Sequence, residues 1–229
     1  MATGWLTASA ADVPLGDDWL GPREREVLAG LRVEKRRADW RLGRWTAKRA
    51  VAAVCGVSAD GLEILAAPDG APDAWRAGAR LAVSVSLSHR DGRAIAAVAP
   101  APAVVGCDLE RVEPRSPAFV REWLPAREQA LLARLEGSEH ARLANLLWCA
   151  REAAAKVRRE GLRLDVRRAA VELDGVPGGS GPEPSCGWRP LRVLWDDAEP
   201  TAGWWREDPG WMMAVAAASS LDAPHRLDA

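Results

Sequence analysis

Tyrosine is missing from this 229-residue chain and phenylalanine occurs once, so its aromatic content rests almost wholly on twelve tryptophans. The four cysteines, Cys55, Cys107, Cys149 and Cys186, lie far apart, with no C-x-x-C pair and no histidine beside them. That spacing supports neither a zinc site nor a disulfide framework, and leaves buried thiols in a reducing cytosol. Neither sign of charge dominates: 31 Lys and Arg against 32 Asp and Glu give a net charge of −1. No global basic field points to nucleic acid. The most apolar stretch, Ala94 to Gly106, is broken by Pro100 and Pro102 and is too short for a bilayer. Met1 to Pro14 lacks the basic start and apolar run of a secretory signal. Also absent are G-x-x-x-x-G-K-[ST], H-E-x-x-H and G-x-S-x-G. Gly178, Gly179 and Gly181 sit in a Pro-rich stretch rather than between a strand and a helix, so they are no dinucleotide fingerprint.

What is present reads as two successive halves, 1–102 and 103–229, joined at Pro100-Ala101-Pro102. Pro22 to Leu31 predicts a short helix, and Glu34 to Val54 a long one stopped before Gly56. Leu81 to Leu87 and Arg93 to Ala99 predict strands connected through Ser88-His89-Arg90-Asp91-Gly92, where Asp-Gly is a hairpin cue. Val104 to Val112 predicts a third strand. Ser116 to Leu135 is helical with a break at Pro125, and Ser138 to Glu160 is a second long helix, with Ser138 as N-cap and Gly161 as stop. Further strands are expected around Val166 to Leu173, Arg189 to Trp195 and Trp211 to Ala218, with a loop over Gly175 to Gly187. A long helix and a few antiparallel strands in each half make an α+β pattern. The primary sequence shows no convincing repeat.

Four constellations could carry chemistry. In Gly106-Cys107-Asp108-Leu109-Glu110, a strand would aim Asp108 and Glu110 at one face, roughly 6–7 Å apart at the backbone. Paired oxygen ligands suit Mg²⁺, which keeps waters or substrate phosphates in its remaining positions; a solvated strand edge fits the same residues. In Trp148-Cys149-Ala150-Arg151-Glu152-Ala153-Ala154-Ala155-Lys156, Trp148, Glu152 and Lys156 recur every four residues on one helical face. A surface Glu–Lys pair would also explain two of them. Ser88-His89 ends an apolar strand, where a hydroxyl, an imidazole and turn amides could receive a phosphate. Arg37, Arg41, Arg44 and Lys48 form a basic stripe on the first long helix, fit for a phosphate-rich small molecule or simply for solvent.

The order of these motifs, a basic G-R-x-x-x-K helix, then S-L-S-H, then G-x-D-x-E, then W-x-x-[KR]-E-A-x-x-K, resembles the 4′-phosphopantetheinyl transferase superfamily. The resemblance runs from Val33 to Leu162, and the length is similar to its monomeric, surfactin-synthetase-activating class. It implies a pseudo-dimer of two similar α+β halves, each a small antiparallel sheet packed with a long helix, with coenzyme A in the cleft between them. It further implies that Asp108, Glu110 and Glu152 bind Mg²⁺, that Lys156 lies beside the pyrophosphate, and that Ser88 and His89 meet the 3′-phosphate of coenzyme A. Arg44 and Lys48 sit where the family places basic groups near the cofactor. On that basis Glu152 is the candidate base for a carrier-protein serine, directly or through water. Asp108 with the metal, and Lys156, stabilise the leaving adenosine 3′,5′-bisphosphate. Arg111 to Leu135, with Phe119, Val120, Trp123, Leu124, Leu131 and Leu132 among several arginines, corresponds to the family's contact with an acyl or peptidyl carrier protein. A plain amphipathic helix packed on the core would look the same. Two departures stand out: Arg151 replaces the usual lysine of W-x-x-K-E-A, and Gly70-Ala71-Pro72 replaces G-K-P. They favour the competing expectation of a catalytically silent coenzyme A or carrier-protein binding module. A nucleic-acid binder using the Arg37 to Lys48 stripe would leave the three carboxylates unexplained.

Overall fold

The computed structural model describes residues 3–160, 165–174, 187–218 and 222–228. The chain divides into two compact units, Met1–Val105 with Pro224–Ala229, and Gly106–Ala223. The first carries β1 (Gly4–Ser9), α1 (Pro22–Gly30), α2 (Glu34–Cys55), β2 (Leu62–Ala66), β3 (Pro72–Arg76), β4 (Ala79–Arg80), β5 (Val83–Arg90) and β6 (Arg93–Pro100). Next come β7 (Val105–Arg111), α3 (Pro117–Trp123), α4 (Ala126–Leu132), α5 (Gly137–Arg158), β8 (Ala169–Leu173), β9 (Arg189–Trp195), β10 (Thr201–Asp208) and β11 (Trp211–Ala217). The chain then returns to the first unit as β12 (His225–Arg226), which runs parallel to β1. The architecture is α+β. No helix among the described residues is long and apolar enough to cross a membrane.

In the first unit a sheet of order β12-β1-β6-β5 and a smaller one of order β2-β3-β4 share a core with α2. Ala47, Ala50 and Val51 of α2 pack with Leu6, Val85, Ala96 and Val98 of the larger sheet and with Leu62 and Ile64 of β2. In the second unit the sheet order is β7-β11-β10-β9-β8. Its inner side is small and apolar, as is the inner side of α5: Ala144, Leu147, Ala150 and Ala154, like Met212 and Ala214, are at most 1% exposed.

Local chemistry explains the boundaries, including those the sequence misplaced. Gly56 takes the left-handed conformation, φ 65°, that stops α2. Asp91 and Gly92 both have positive φ, 45° and 75°, as a two-residue primed turn demands. That turn is tighter than expected, so Ser88, His89 and Arg90 belong to β5 instead of the connection. Helix α5 starts at Gly137 with Glu136 as N-cap, in place of Ser138. Val166–Arg168 is a 3₁₀ turn leading into β8. The loop expected over Gly175 to Gly187, apart from Gly187 itself, with Cys186 in it, and the Gly161 stop lie outside the described residues.

The expectation of no repeat is corrected by the side chains. Trp19-Leu20-x-x-Arg23-Glu24-x-x-x-Leu28-Ala29-x-Leu31 recurs as Trp123-Leu124-x-x-Arg127-Glu128-x-x-x-Leu132-Ala133-x-Leu135, and Trp45-x-Ala47-Lys48 recurs as Trp148-x-Ala150-Arg151. The repeated residues repeat their contacts. Glu24 accepts from Lys48 Nζ at 2.9 Å and, through its other oxygen, from the Ile64 amide at 2.9 Å. Glu128 accepts from the Arg151 guanidinium and, through its other oxygen, from the Val171 amide at 2.9 Å. Trp19 meets Trp45 edge-on at 5.2 Å, and Trp123 meets Trp148 likewise at 5.6 Å. Each unit therefore fastens its long helix to a short preceding helix and a following strand with one buried ion pair. Conserving four or five side chains spread over a long stretch is enough for this, which is why the pattern hides among unlike neighbours.

Candidate active site

β7 and α5 meet at Gly106. A Cβ there would lie 2.0 Å from the Ala153 carbonyl oxygen and 3.1 Å from Lys156 Cβ, so only glycine allows this approach. Two residues further, Asp108 projects toward the helix, and Lys156 Nζ reaches across to donate to Asp108 Oδ1 and to the Cys107 carbonyl, each at 2.8 Å. Glu152 stands one turn before Lys156 on the same helical face. Burial first, then the charge of Asp108 and, more weakly, Glu110, raise the Glu152 carboxyl above the usual glutamate range, while Lys156 pulls the other way. Burial alone would favour a neutral Lys156, but Asp108, Cys107 and Glu152 outweigh it and hold the ammonium charged. The structure thus brings Asp108, Glu110, Glu152 and Lys156 within electrostatic reach of one another. Asp108 and Glu110 are only 4% and 8% exposed, which overturns the solvated-edge alternative for this strand.

Several neighbours escaped the sequence. Arg115 donates to Glu110 Oε2 at 2.7 Å and to Asn145 Oδ1 at 2.7 Å, and Asn145 in turn donates to the Glu113 and Ala141 carbonyls. The Arg115 guanidinium lies 4.9 Å from the Phe119 ring centre. Phe119 and Trp123 both pack edge-on against Trp148, at 5.1 and 5.6 Å, so a half-buried aromatic cluster adjoins the acids. Of the apolar residues expected to face a carrier, Leu124 and Leu132 are core instead, 3% and 1% exposed, whereas Leu131 is 50% exposed. Cys149 lies beneath the site and donates to the Met212 carbonyl at 3.5 Å; burial, with Asp108 and Glu110, pushes its thiol well up, so it is no nucleophile.

Arg151, the departure from the usual lysine, points away from the acids. It is fully buried, donating to Glu128, to the Leu147 carbonyl at 3.0 Å and to the Ala169 carbonyl at 3.2 Å. Its extra donors are used internally, and the substitution leaves the acid face untouched.

In the first unit, Leu87 and His89 face α2: their side chains come within 3.4 and 3.6 Å of where a Gly43 Cβ would stand. Ser88 points the other way, as alternation along β5 requires. Arg44, next to Gly43, stacks on Trp40 at 4.7 Å, and its Nε is buried with no hydrogen-bond partner among the described residues. Burial lowers its pKa, with Glu24 offsetting part of that. The basic stripe is not the solvated face that its spacing allowed. Arg37 ties to the Leu28 and Leu31 carbonyls, Arg41 to the Leu15 and Gly16 carbonyls, and Lys48 is 2% exposed between Glu24 and the Trp19 carbonyl. Lys48 therefore offers no ammonium at the surface, whereas Arg44 keeps a buried Nε with no hydrogen-bond partner among the described residues.

Among the described residues no three acidic, histidine or cysteine side chains already converge as a metal shell. Asp108 is engaged by Lys156 and Glu110 by Arg115. The donor set nevertheless fits a hard divalent cation: three carboxylates, all oxygen, with Glu152 raised by burial first and then by repulsion from Asp108 and Glu110. That repulsion predicts a pH-dependent cost. A carboxyl whose folded pKa lies above its unfolded value contributes stability below the unfolded pKa and loses it as pH rises through the folded one. Glu152→Gln should therefore raise Tm at pH 7 in chelator-treated protein, by about 2–4 °C for each kcal/mol relieved. The gain should vanish near pH 4. Thermal melts at both pH values measure it; an unchanged or lower Tm at pH 7 contradicts the repulsion.

Comparison with known proteins places these features. Residues 104–182 match a family model described as the 4′-phosphopantetheinyl transferase superfamily, and residues 24–99 match one described as the 4′-phosphopantetheinyl transferase N-terminal domain. No curated protein shows significant sequence similarity to the chain. Among solved structures, a holo-(acyl-carrier-protein) synthase from Bacillus anthracis str. Ames, in complex with CoA (3′,5′-ADP), is 23% identical; the match covers 42% of this chain and 92% of that one, with a TM-score of 0.37. The two models are matched in order and together take in more than half of the sequence, over the stretches that hold Arg44 to His89 and the acid–lysine cluster: the chain belongs to the 4′-phosphopantetheinyl transferase superfamily.

Proposed function

We propose that the protein transfers the phosphopantetheine arm of coenzyme A to a serine of an acyl or peptidyl carrier protein and releases adenosine 3′,5′-bisphosphate. The observation that carries this is the cluster of Asp108, Glu110 and Glu152 gathered around Lys156 at the β7–α5 contact. The serine oxygen attacks the phosphorus bearing the pantetheine arm, and the bond from that phosphorus to the bridging oxygen breaks. Glu152, its pKa raised by burial and by Asp108, takes the serine proton directly or through water. Lys156, held charged, neutralises the leaving phosphate. Asp108, Glu110 and Glu152 would hold a Mg²⁺, which when bound supplies charge stabilisation at the pyrophosphate oxygens. No residue of the chain needs to act as a covalent nucleophile.

For the first unit the proposal assigns the 3′-phosphate of coenzyme A to His89 and Arg44, whose buried Nε has no hydrogen-bond partner among the described residues; Ser88, expected to share it, faces the other side of β5 and is left out. Lys48 drops out of this set because its ammonium is spent on Glu24. In the second unit, Phe119 and Trp123 on Trp148, with exposed Leu131 and neighbouring arginines, form the surface for an acidic helical carrier. The proposed setting is that of the monomeric, surfactin-synthetase-activating class, in the cytosol, serving secondary metabolism. The silent-module alternative loses one of its two supports, since Arg151 is internal.

Incubation with coenzyme A, Mg²⁺ and a panel of apo-carriers, read by carrier mass, tests the activity. Wild type should modify at least one carrier, and Asp108→Ala or Glu152→Ala should abolish transfer with the fold intact. Near-normal turnover in either variant contradicts the site. For the phosphate, His89→Ala should raise KM for coenzyme A about ten- to a hundredfold, one charge-assisted bond of about 1.5–3 kcal/mol, with little change for dephospho-coenzyme A. Equal increases with both substrates contradict a phosphate role.

A further inference from the structure

Glu128 lies on α4, outside every motif that suggested chemistry, yet it is completely buried and charged against Arg151. We propose that Glu128 is a positioning residue: through Arg151 it fixes the rotation of α5 about its axis, and so the direction in which Glu152 and Lys156 project. The inference rests on the transfer reaction proposed above.

The contacts are one-sided in the way such a role needs. Arg151 gives one nitrogen to Glu128, one to the Leu147 carbonyl a turn earlier on α5, and one to the Ala169 carbonyl of β8. The second oxygen of Glu128 takes the Val171 amide of β8. One charge pair thus pins α5 simultaneously to α4 and to a strand at the far edge of the sheet from β7. Glu152 follows Arg151 directly, about 100° around the helix, and Lys156 stands one turn on from Glu152. At the ~5–6 Å outer radius of a helix, about 10° of rotation displaces a group by about 1 Å. A misplacement of about 1 Å can cost on the order of a hundredfold in rate. The same short segment also carries the aromatic neighbours, since Trp123 of α3 packs on Trp148 of α5. Holding α4 to α5 therefore fixes both the acid face and the aromatic cluster.

The first unit supplies an internal control. Glu24 makes the same pair with Lys48 and takes the Ile64 amide, but α2 carries no acid–lysine cluster beyond it. Losing that pair reports what a buried ion pair contributes to stability and to the placing of Arg44 on α2, an effect read in KM for coenzyme A rather than in kcat. It also shows that a lysine can serve as the partner, so Arg151→Lys is a conservative rescue.

Glu128→Gln and Glu24→Gln are compared in the full chain for Tm, for kcat and KM, and for the effect of adding Glu152→Gln. Both should lose similar amounts of Tm. Glu128→Gln should lower kcat about ten- to a hundredfold with KM for coenzyme A within about threefold, whereas Glu24→Gln keeps kcat within about twofold. Arg151→Lys should keep kcat within about threefold while Arg151→Met loses as much as Glu128→Gln, which covers the case in which Glu128→Gln does not fold. The stabilisation expected from Glu152→Gln should fall by at least half in the Glu128→Gln background and persist in the Glu24→Gln background, because a rotated α5 no longer faces Glu152 toward Asp108. That cycle needs no turnover: an inactive wild type would overturn the transfer reaction and leave the cycle to decide the role of Glu128. Equal kcat losses in the two Glu→Gln variants, or an undiminished Glu152→Gln gain, overturn the proposal.

Discussion

The second unit is organised around an electrostatic debt: three carboxylates share the contact between a strand and a helix, with one lysine set among them. Asp108 and Glu110 are side by side on β7 because a strand repeats every second residue, and Glu152 reaches them because Gly106 lets α5 come within van der Waals contact of the strand backbone. Lys156 satisfies Asp108, Arg115 satisfies Glu110, and Glu152 is left with its carboxyl raised. Such an arrangement works against stability and is expected where a site is built for a charged reaction rather than for a quiet core.

A second constraint keeps that arrangement in register. Each long helix is locked by a buried carboxylate–cation pair whose carboxylate also takes a strand amide: Glu24 with Lys48 and Ile64, Glu128 with Arg151 and Val171. Breaking one partner of such a pair typically costs about 3–5 kcal/mol, because the other charge stays buried. The two units use the device with different cations, which makes Arg151 an equivalent of Lys48 and removes it from the list of groups available to a ligand. The matched contacts favour the duplicated, two-half architecture that the family resemblance implies.

Much of this was legible in the residues. The long helices showed through their residue spacing and, for α2, the Gly56 stop, the β5–β6 hairpin through Asp91-Gly92, and the acids and Lys156 through strand and helix spacing. What stayed hidden was of two kinds. Strands β1, β2, β3 and β10 break up their apolar residues with glycine, alanine, proline or acids, so no continuous run of strand-forming residues marks them. Partners distant in sequence were equally hidden, since nothing local ties Arg115 to Asn145 or Glu128 to Arg151. The basic stripe misled for the same reason: spacing put Arg37, Arg41 and Lys48 on one face, but carbonyls and Glu24 from other segments cover that face. Arg44, by contrast, stacks on Trp40 and keeps a buried Nε with no hydrogen-bond partner among the described residues.

The central claim is that Asp108, Glu110 and Glu152 together make a site for a divalent cation. The most direct measurement is the Tm of wild type and Glu152→Gln at pH 7, with and without millimolar Mg²⁺ and with no coenzyme A present. Mg²⁺ should raise the wild-type Tm and close the gap to Glu152→Gln, whose own Tm should move much less. A wild-type Tm indifferent to Mg²⁺, or an equal rise in both proteins, would contradict a cation site made by these three carboxylates.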